Sequence, residues 1–267
     1  MHLRAVILSL LVVAALTNIA AAVTDAEAAT EPVDSIGWEV VSRRPHDPDA
    51  FTQGLQLDRS GRLFESTGLY GASTLRQVDP LDGRVLRQLD LPDDWFGEGL
   101  ALVGEDLVQL TWKVGTATRR DADTFELLDA YSYAGEGWGL CFDGERLVMS
   151  DGSDVLTFRD ADTFEVLDTV AVTLEGQPLS RLNELECVDD AVWANVWYRD
   201  LVVRIDPADG RVSGVLDLAG ILEPHPQESV AGAVLNGIAW DSSAETFLVT
   251  GKRWPELIEI RLLESGG

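Results

Sequence analysis

Two stretches of the chain are almost identical: Arg120-Asp-Ala-Asp-Thr-Phe-Glu-Leu-Leu-Asp129 and Arg159-Asp-Ala-Asp-Thr-Phe-Glu-Val-Leu-Asp168. They begin 39 residues apart, and looser copies occur at residues 78–86 and 205–213. Each copy places an acidic turn sequence between two runs of strand-forming residues, and such turns close β-hairpins. The chain is therefore predicted to contain four similar β-hairpins.

A second element alternates with these hairpins. It begins at a polar or aromatic residue, continues with alternating apolar positions, and is followed by a turn and another strand. Its five starts are Gln53, Glu98, Trp138, Asn183 and Asn236. Units of 40 to 53 residues with about four short strands each are typical of β-propellers. The sequence predicts an all-β, five-bladed β-propeller and disfavours a β-sandwich, which does not repeat internally at this period.

The two ends of the chain complete the last unit. That unit has a third strand at residues 257–262, after which the chain ends. An isolated strand at residues 38–42 is predicted to supply the missing outer strand and so to close the ring. The propeller domain is predicted at residues 37–264. Its longest irregular stretch, residues 217–234, is expected to hold a short helix or a long loop.

The first 22 residues have the pattern of a secretory signal peptide. Arg4 supplies a basic start, residues 5–16 form a short apolar run, and small residues follow at 18–22. Residues 23–36 are predicted to be a flexible leader. The mature protein is expected in the periplasm or outside the cell, with no membrane contact after cleavage; an uncleaved anchor is the alternative.

Charge and cysteine content limit the partners. There are 46 acidic and 20 basic residues, for a formal net charge of −26. Such a surface repels nucleic acid and favours cationic ligands, including peptides with a free α-ammonium group. The two cysteines, Cys141 and Cys187, lie in the inner strands of neighbouring repeats, so they form either a disulfide or two buried thiols.

Equivalent positions of the five repeats should ring one end of the central channel. The ring residues Gln53, Glu98, Trp138, Asn183 and Asn236 are mostly polar, although a packed core would require aliphatic residues there. Five further residues are expected at the same end, two before the inner strands and three after the second strands: Phe51, Phe96, Trp112, Trp197 and Lys252. This mixture predicts a pocket for a small polar molecule with an apolar stem.

Several motifs in register with this ring resemble the plant-type glutamine cyclotransferase family. They are Phe51-Thr-Gln-Gly-Leu55, Glu65-Ser-Thr-Gly-Leu-Tyr-Gly71, Phe96-Gly-Glu-Gly-Leu100, Leu182-Asn-Glu-Leu-Glu186, Ala194-Asn-Val-Trp197, Leu235-Asn-Gly-Ile-Ala239 and Thr250-Gly-Lys252. The resemblance implies a five-bladed propeller that converts the N-terminal glutamine of peptides and proteins to pyroglutamate and releases ammonia.

The resemblance also implies the roles of individual residues. The catalytic glutamate corresponds to Glu98. The substrate-binding residues correspond to Phe51, Gln53, Phe96, Trp112, Trp138, Asn183, Trp197 and Lys252. Glu65 is a competing carboxylate, and Asn236 is a further ring residue. No cofactor is expected for catalysis. Because some family members hold a structural metal, calcium or zinc stays open, and a monomer is expected.

Two other functions remain open at this stage. One is a non-catalytic propeller that binds peptides, and the other is a lactonase-like hydrolase that uses a central calcium ion. The second would need several inward carboxylates, for which Glu184 and Glu186 are candidates. A last expectation concerns protonation: Lys252 close to Glu98 should favour the ionised form of that carboxyl.

Overall fold

The computed structural model describes residues 33–224 and 230–263, and this part of the chain consists of strands, turns and loops. The signal peptide and most of the predicted leader lie outside the described residues. In chain order the strands are β1 (Asp34–Ser35), β2 (Gly37–Pro45), β3 (Thr52–Leu57), β4 (Leu63–Thr67), β5 (Thr74–Val78), β6 (Val85–Asp90), β7 (Gly97–Val103), β8 (Asp106–Thr111), β9 (Thr116–Asp121), β10 (Leu127–Ser132), β11 (Leu140–Phe142), β12 (Arg146–Ser150), β13 (Val155–Asp160), β14 (Val166–Ala171), β15 (Thr173–Leu174), β16 (Gln177–Pro178), β17 (Leu182–Val188), β18 (Ala191–Val196), β19 (Leu201–Ile205), β20 (Val212–Asp217), β21 (Leu235–Asp241), β22 (Thr246–Gly251) and β23 (Glu256–Leu263).

These strands form the five blades that the repeats predict. The sheets are β3-β4-β5-β6, β7-β8-β9-β10, β11-β12-β13-β14, β17-β18-β19-β20 and β21-β22-β23-β2, and each is antiparallel. β15 and β16 form a small separate hairpin after the third blade. No helix in the described part of the chain is long and apolar enough to cross a membrane. The prediction of a five-bladed propeller is confirmed.

The ring closes at its two chain ends as expected. β2 pairs antiparallel with β23 along its whole length, from Gly37 opposite Leu263 to Pro45 opposite Glu256. The last blade is thereby made from both ends of the domain, which ties the two ends together and covers the edge of β23.

The end of the predicted flexible leader is instead ordered. Asp34 and Ser35 pair in parallel with β20, and Ile36 is buried in the core. Gly214 makes this possible, because a Cβ there would lie 2.6 Å from Ile36 Cδ1. The leader was predicted through residue 36 because a two-residue strand leaves no periodic pattern in the sequence.

The near-identical segments form the outer hairpins of the second and third blades, β9-β10 and β13-β14. At each turn the first aspartate accepts a hydrogen bond from the threonine backbone N–H, Thr124 to Asp121 at 2.7 Å and Thr163 to Asp160 at 2.8 Å. The phenylalanine that follows each threonine has positive φ and is buried. The segment recurs because each hairpin needs both an Asx turn and an apolar residue that packs inward.

Small residues let the inner strands meet at the centre. The residue after each ring position is glycine in four blades and Glu184 in the fourth. A Cβ at Gly54 would lie 2.6 Å from Leu100 N, and one at Gly99 would lie 2.5 Å from Leu140 N. Any side chain at these two glycines would push neighbouring blades apart.

Glu184 replaces that glycine and bonds across the centre. Its Oε1 accepts from Leu55 N at 3.2 Å, and its Oε2 accepts from Ile238 N at 2.9 Å. Two residues further along β17, Glu186 accepts one hydrogen bond from Trp240 N and another from Gln56 Nε2. Innermost strands leave N–H groups without a sheet partner, and these carboxylates satisfy them.

Cys141 of β11 and Cys187 of β17 form a disulfide. It joins the innermost strands of the third and fourth blades, which settles the alternative that the sequence left open. The two cysteines are 46 residues apart in the chain. A loop of that size gives a stabilisation of about 4 kcal/mol in the chain-entropy treatment.

The irregular stretch before the last blade was expected to hold a short helix or a long loop. Its described residues, 218–224 and 230–234, form turns and bends. Leu218, Ile221 and Ala233 are buried against Trp254 in one hydrophobic cluster. The described parts of the stretch are therefore loop segments that pack on the hydrophobic cluster of the fourth and fifth blades.

Candidate active site

A cavity of about 230 Å³ contains the predicted site residues. Its wall consists of Phe51, Gln53, Leu69, Phe96, Glu98, Trp112, Trp138, Asn183, Trp197 and Lys252. The structure thus brings together Glu98 and all eight residues predicted to bind substrate. Leu69 is the additional wall residue, while Glu65 and Asn236 are not part of the wall.

β-Bulges set the direction of four of the five ring residues, of which Gln53, Glu98 and Asn183 line the cavity. The register with the second strand shifts at the start of four inner strands: between Thr52 and Gly54, Gly97 and Leu100, Leu182 and Leu185, and Leu235 and Ile238. A bulge inserts an unpaired residue and re-aims its side chain. This local irregularity, repeated from blade to blade, explains why polar side chains occupy positions that simple alternation would assign to the core.

The residues after the second strands reach the same end by a shared backbone bond. Trp112 N donates to Phe96 O, Trp197 N to Arg181 O and Lys252 N to Val234 O, each at 2.9 Å. Each bond extends the hairpin by one residue, because its acceptor immediately precedes the inner strand and its donor immediately follows the second strand. The indoles of Trp112 and Trp197 and the ammonium group of Lys252 therefore lie at equivalent positions of three blades.

The aromatic side chains pack edge to face. Phe96 lies 6.1 Å from Phe51 and 5.6 Å from Trp112, measured between ring centroids. On the other side, Trp138 and Trp197 lie 5.2 Å apart at 86°. Such contacts fix the angle of each ring. The wall is therefore a rigid apolar surface with few polar groups in it.

Glu98 is the carboxylate of this wall, and it is only 4% exposed. Its Oε1 accepts a hydrogen bond from Gln53 Nε2 at 3.1 Å, whereas its Oε2 has no partner among the described residues. Burial raises the pKa of Glu98 well above its usual value, Lys252 opposes that shift, and the negative Glu136 adds to it. The charge of Lys252 favours the ionised form of Glu98, as expected, but desolvation outweighs this attraction, so the net shift of the pKa is upward.

Lys252 is the cationic group of the wall and is also 4% exposed. Burial lowers its pKa to about 8, although Glu98 acts in the opposite direction. Its Nζ lies 5.0 Å from the centroid of the Phe51 ring and 6.0 Å from that of Trp197. The aromatic faces stabilise the ammonium form, and the group can lose its proton in a mildly alkaline medium.

Asn236 acts behind the wall. Its Nδ2 donates to Thr52 O at 3.0 Å and to Gln53 Oε1 at 3.4 Å. This contact fixes the orientation of the Gln53 amide, so that its Nε2 points at Glu98. Asn236 therefore orients a wall residue.

Glu65 lies apart from the cavity in a buried ion cluster. It accepts hydrogen bonds from Thr52 Oγ1 at 2.6 Å, from His46 Nε2 at 3.0 Å and from Arg76 Nε at 2.8 Å. Burial alone would raise its pKa, but His46 and Arg76 outweigh burial and lower the pKa to about 2. His46 Nδ1 also contacts a carbonyl oxygen, that of Trp254, so both ring nitrogens donate and the imidazole is charged. Both carboxylate oxygens of Glu65 therefore accept hydrogen bonds, and they fix the start of β3 at Thr52.

Sequence patterns missed Leu69 and Glu136. Leu69 has a φ of 97°, a conformation that costs energy for a branched residue and is concentrated at functional sites. It lies within the Glu65–Gly71 motif, which was the available signal. Glu136 lies in the loop before β11 between two glycines, and its carboxylate contacts the indoles of Trp112 and Trp138.

The described residues include no group of three or more His, Cys, Asp or Glu side chains that could hold a metal ion. Glu184 and Glu186, which kept a calcium-dependent hydrolase open, use their oxygens on backbone N–H groups and on Gln56. The carboxylates in the channel therefore have a structural explanation.

Three comparisons with known proteins identify the family of the chain. A family model described as glutamine cyclotransferase matches residues 10–262. A protein of Arabidopsis thaliana named glutaminyl-peptide cyclotransferase is 42% identical over 229 residues, which cover 85% of this chain and 72% of that protein. The crystal structure of Myxococcus xanthus glutaminyl cyclase is similar with a TM-score of 0.81 and 39% identity, over 86% of this chain and 98% of that one.

Proposed function

The chain belongs to the glutamine cyclotransferase family, and on that premise we propose that it is a glutaminyl-peptide cyclotransferase with Glu98 as its proton-transferring residue. It converts the N-terminal glutamine of a peptide to pyroglutamate and releases ammonia. One observation carries the assignment of Glu98: a buried carboxyl with a raised pKa and a free oxygen lines an aromatic cavity.

The reaction is intramolecular. The α-amine nitrogen attacks the side-chain amide carbon, a new C–N bond forms, and the bond to the amide nitrogen breaks. Holding the glutamine side chain folded against its own amine supplies much of the acceleration. The aromatic wall can impose this fold, because the rings bracket a cavity of about 230 Å³, a size suited to one glutamine residue.

Glu98 moves the proton. Its ionised carboxylate takes a proton from the α-ammonium group of the substrate and frees the amine for attack. The same proton then passes to the amide nitrogen, which leaves as ammonia. The ring nitrogen still carries one proton more than the pyroglutamate N–H; the ionised Glu98 accepts this second proton and releases it to the departing ammonia or to water, and so returns to its ionised form. A carboxyl whose pKa is raised by burial holds a proton more readily than an exposed one, which suits it to both transfers. Accordingly, kcat/KM should fall at pH values below the pKa of Glu98.

The developing oxyanion needs a donor. Gln53 Nε2 is engaged with Glu98, which leaves Lys252 and Asn183 as the polar wall residues best suited to the carbonyl oxygen. A buried ammonium group stabilises negative charge strongly, since little water screens it. The steps require no metal ion, so activity should survive treatment with EDTA. Whether the protein holds a structural calcium or zinc ion is a separate question. Melting curves recorded before and after the EDTA treatment test it.

Export and a monomeric state complete the proposal. The disulfide between Cys141 and Cys187 supports an oxidising compartment such as the periplasm or the cell exterior. The net charge of −26 suits peptide substrates with a free α-ammonium group and disfavours nucleic acid. N-terminal sequencing of the protein recovered from its producing cells tests the signal peptide, and light scattering tests the monomer.

Incubation of the purified protein with a glutamine-initiated peptide tests the activity. Ammonia should appear in step with loss of one ammonia mass from the peptide. Two matched peptides serve as controls: one with N-acetylated glutamine, which has no free amine, and one that begins with asparagine, whose side chain is too short for the same ring. Failure to release ammonia from any glutamine-initiated peptide would remove this function.

A further inference from the structure

A single carboxylate connects two of the indoles in the cavity wall. Glu136 Oε2 accepts a hydrogen bond from Trp112 Nε1 at 2.7 Å and another from Trp138 Nε1 at 3.1 Å. The indoles come from different blades, since Trp112 follows β8 and Trp138 precedes β11. Glu136 is therefore the polar link between two blades behind the pocket.

The position of Glu136 is fixed by its loop. The next residue, Gly137, donates its N–H to Trp112 O at 3.0 Å. A Cβ at Gly137 would collide with the hydroxyl of Tyr133, which itself donates to Thr111 O. The loop is thus tied to the end of β8, where Trp112 begins, and the carboxylate does not depend on a mobile surface chain.

The other oxygen of Glu136 has a cation beside it. Lys113 Nζ lies 3.4 Å from Glu136 Oε1 and 3.8 Å from the centroid of the Trp112 ring. Burial raises the pKa of Glu136, but hydrogen bonds from Trp138, Trp112 and Lys113 outweigh it and leave the pKa below its usual value. The carboxylate is therefore charged at neutral pH, and a charged acceptor roughly doubles the strength of an indole hydrogen bond.

We propose that Glu136 is a positioning residue of the cyclisation: it holds the Trp112 and Trp138 indoles at the angles with which they fold the glutamine side chain of the substrate. The inference rests on the proposed function, because it assigns these indoles to substrate binding. Neither nitrogen of the two indoles is then free to rotate toward solvent, and the wall keeps its shape when the cavity is empty.

The charge of Glu136 has a second consequence at Glu98. It is one of the groups that raise the pKa of that carboxyl. Removing the charge should therefore move the acid limb of the kcat/KM profile to lower pH. A residue that only supports the fold would leave this limb where it is, so the pH profile separates the two roles.

Steady-state kinetics on a glutamine-initiated peptide tests the proposal with two variants. Glu136→Ala removes both hydrogen bonds and should lower kcat/KM about tenfold or more, chiefly through KM, because the indoles contact the substrate before and during the reaction. Glu136→Gln keeps an acceptor oxygen without charge; it should stay within about threefold of the wild type in kcat/KM while its acid limb moves to lower pH. Glu126→Gln removes one charge from an exposed site on the second blade and should match the wild type in both respects.

A mutant cycle links the effect to the indoles. In a Trp112→Phe, Trp138→Phe background the rings remain but the N–H donors are gone, so adding Glu136→Ala should change kcat/KM by less than about threefold. An undiminished effect in that background, or Glu136→Ala kinetics equal to the wild type, overturns the proposal. If Glu136→Ala does not fold, an unshifted acid limb in Glu136→Gln overturns it instead. Absence of activity in the wild type counts against the proposed function.

Discussion

The pocket and the channel at the centre of the ring each hold a buried glutamate, and the two glutamates differ in how their oxygens are used. Glu98 and Glu184 both lie on innermost strands, and burial raises the pKa of both well above the usual value. Glu184 receives one backbone N–H on each oxygen. Glu98 receives one side-chain N–H on Oε1 and none on Oε2.

Because Glu98 and Glu184 both have raised pKa values, a perturbed pKa does not by itself identify a catalytic carboxyl. Structural and functional carboxyls both lose water on burial, so both shift in the same direction. What distinguishes Glu98 is its oxygen without a hydrogen-bond partner. A buried polar atom without a partner destabilises the folded protein, so a carboxyl with a purely structural role is expected to have both oxygens bonded. Glu65 supports the same conclusion from the other side: its pKa is lowered to about 2, its oxygens are engaged, and it lies outside the pocket.

The largest effect is expected from Glu98→Gln. The amide keeps the shape and the neutral charge of the protonated carboxyl but cannot carry a proton between two nitrogens, so kcat/KM should fall about a thousandfold. Ammonia release from a glutamine-initiated peptide measures this. Circular dichroism of the variant should match that of the wild type. Activity within about tenfold of the wild type would remove Glu98 from the proton-transfer role and break the comparison.

Glu65→Gln should affect stability instead of catalysis. It leaves the charged His46 buried without its anion and Arg76 with Asp47 alone, which should lower the free energy of unfolding by about 3 kcal/mol at pH 7. The wild-type carboxylate has a lower pKa folded than unfolded. Its contribution is therefore complete above about pH 4.5 and is lost as the pH falls toward about 2.

Urea unfolding at pH 7 and at pH 3 measures that loss, and the gap between wild type and variant should narrow at the lower pH. Glu39→Gln is the matched control, because it breaks an exposed pair with Arg261 and should cost less than about 1 kcal/mol. A stable Glu65→Gln protein with a thousandfold loss of kcat would instead return Glu65 to the list of catalytic candidates.

Glu184→Gln is the direct counterpart of Glu98→Gln, since the same atom exchange is made at the other buried glutamate. The new NH₂ group would face a backbone N–H of Leu55 or Ile238, which should cost about 2 kcal/mol of stability. The folded variant should keep kcat/KM within about threefold of the wild type. Melting curves and ammonia release measure the two quantities. A large loss of turnover with unchanged stability would place the channel carboxylate in the chemistry after all.

The sequence predicted the blades and the residues of the cavity wall because both repeat. A position that recurs at a fixed place in each unit, such as Glu98 after Gln53, can be located by counting along the chain. The bulges that re-aim these side chains then act on the same position in four blades, and three of the four side chains line the cavity.

Features that occur once were not predictable in the same way. Glu136 lies in a loop between blades. Its contact with Trp138 is local, but its contact with Trp112, 24 residues away in the chain, exists only in the folded protein. The raised pKa of Glu98 was also missed, because the sequence shows the nearby Lys252 but not the depth of burial that outweighs its charge. β1 escaped detection because its ordering depends on the space that Gly214 leaves for Ile36, and that space is a property of the folded blade.

The smallest expected effect is the stability of Glu98→Gln. Folded wild-type protein retains a proton on Glu98 at pH values where the unfolded chain has lost it, so folding becomes less favourable as the pH rises from about 4.5 toward the raised pKa. The amide has no such dependence. The variant should equal the wild type in stability at pH 4 and exceed it at pH 7, the reverse of the Glu65→Gln result. Urea unfolding at the two pH values measures both variants side by side. If Glu98→Gln is less stable than the wild type at pH 7, Glu98 also has a structural role, and the distinction drawn between the pocket and the channel is lost.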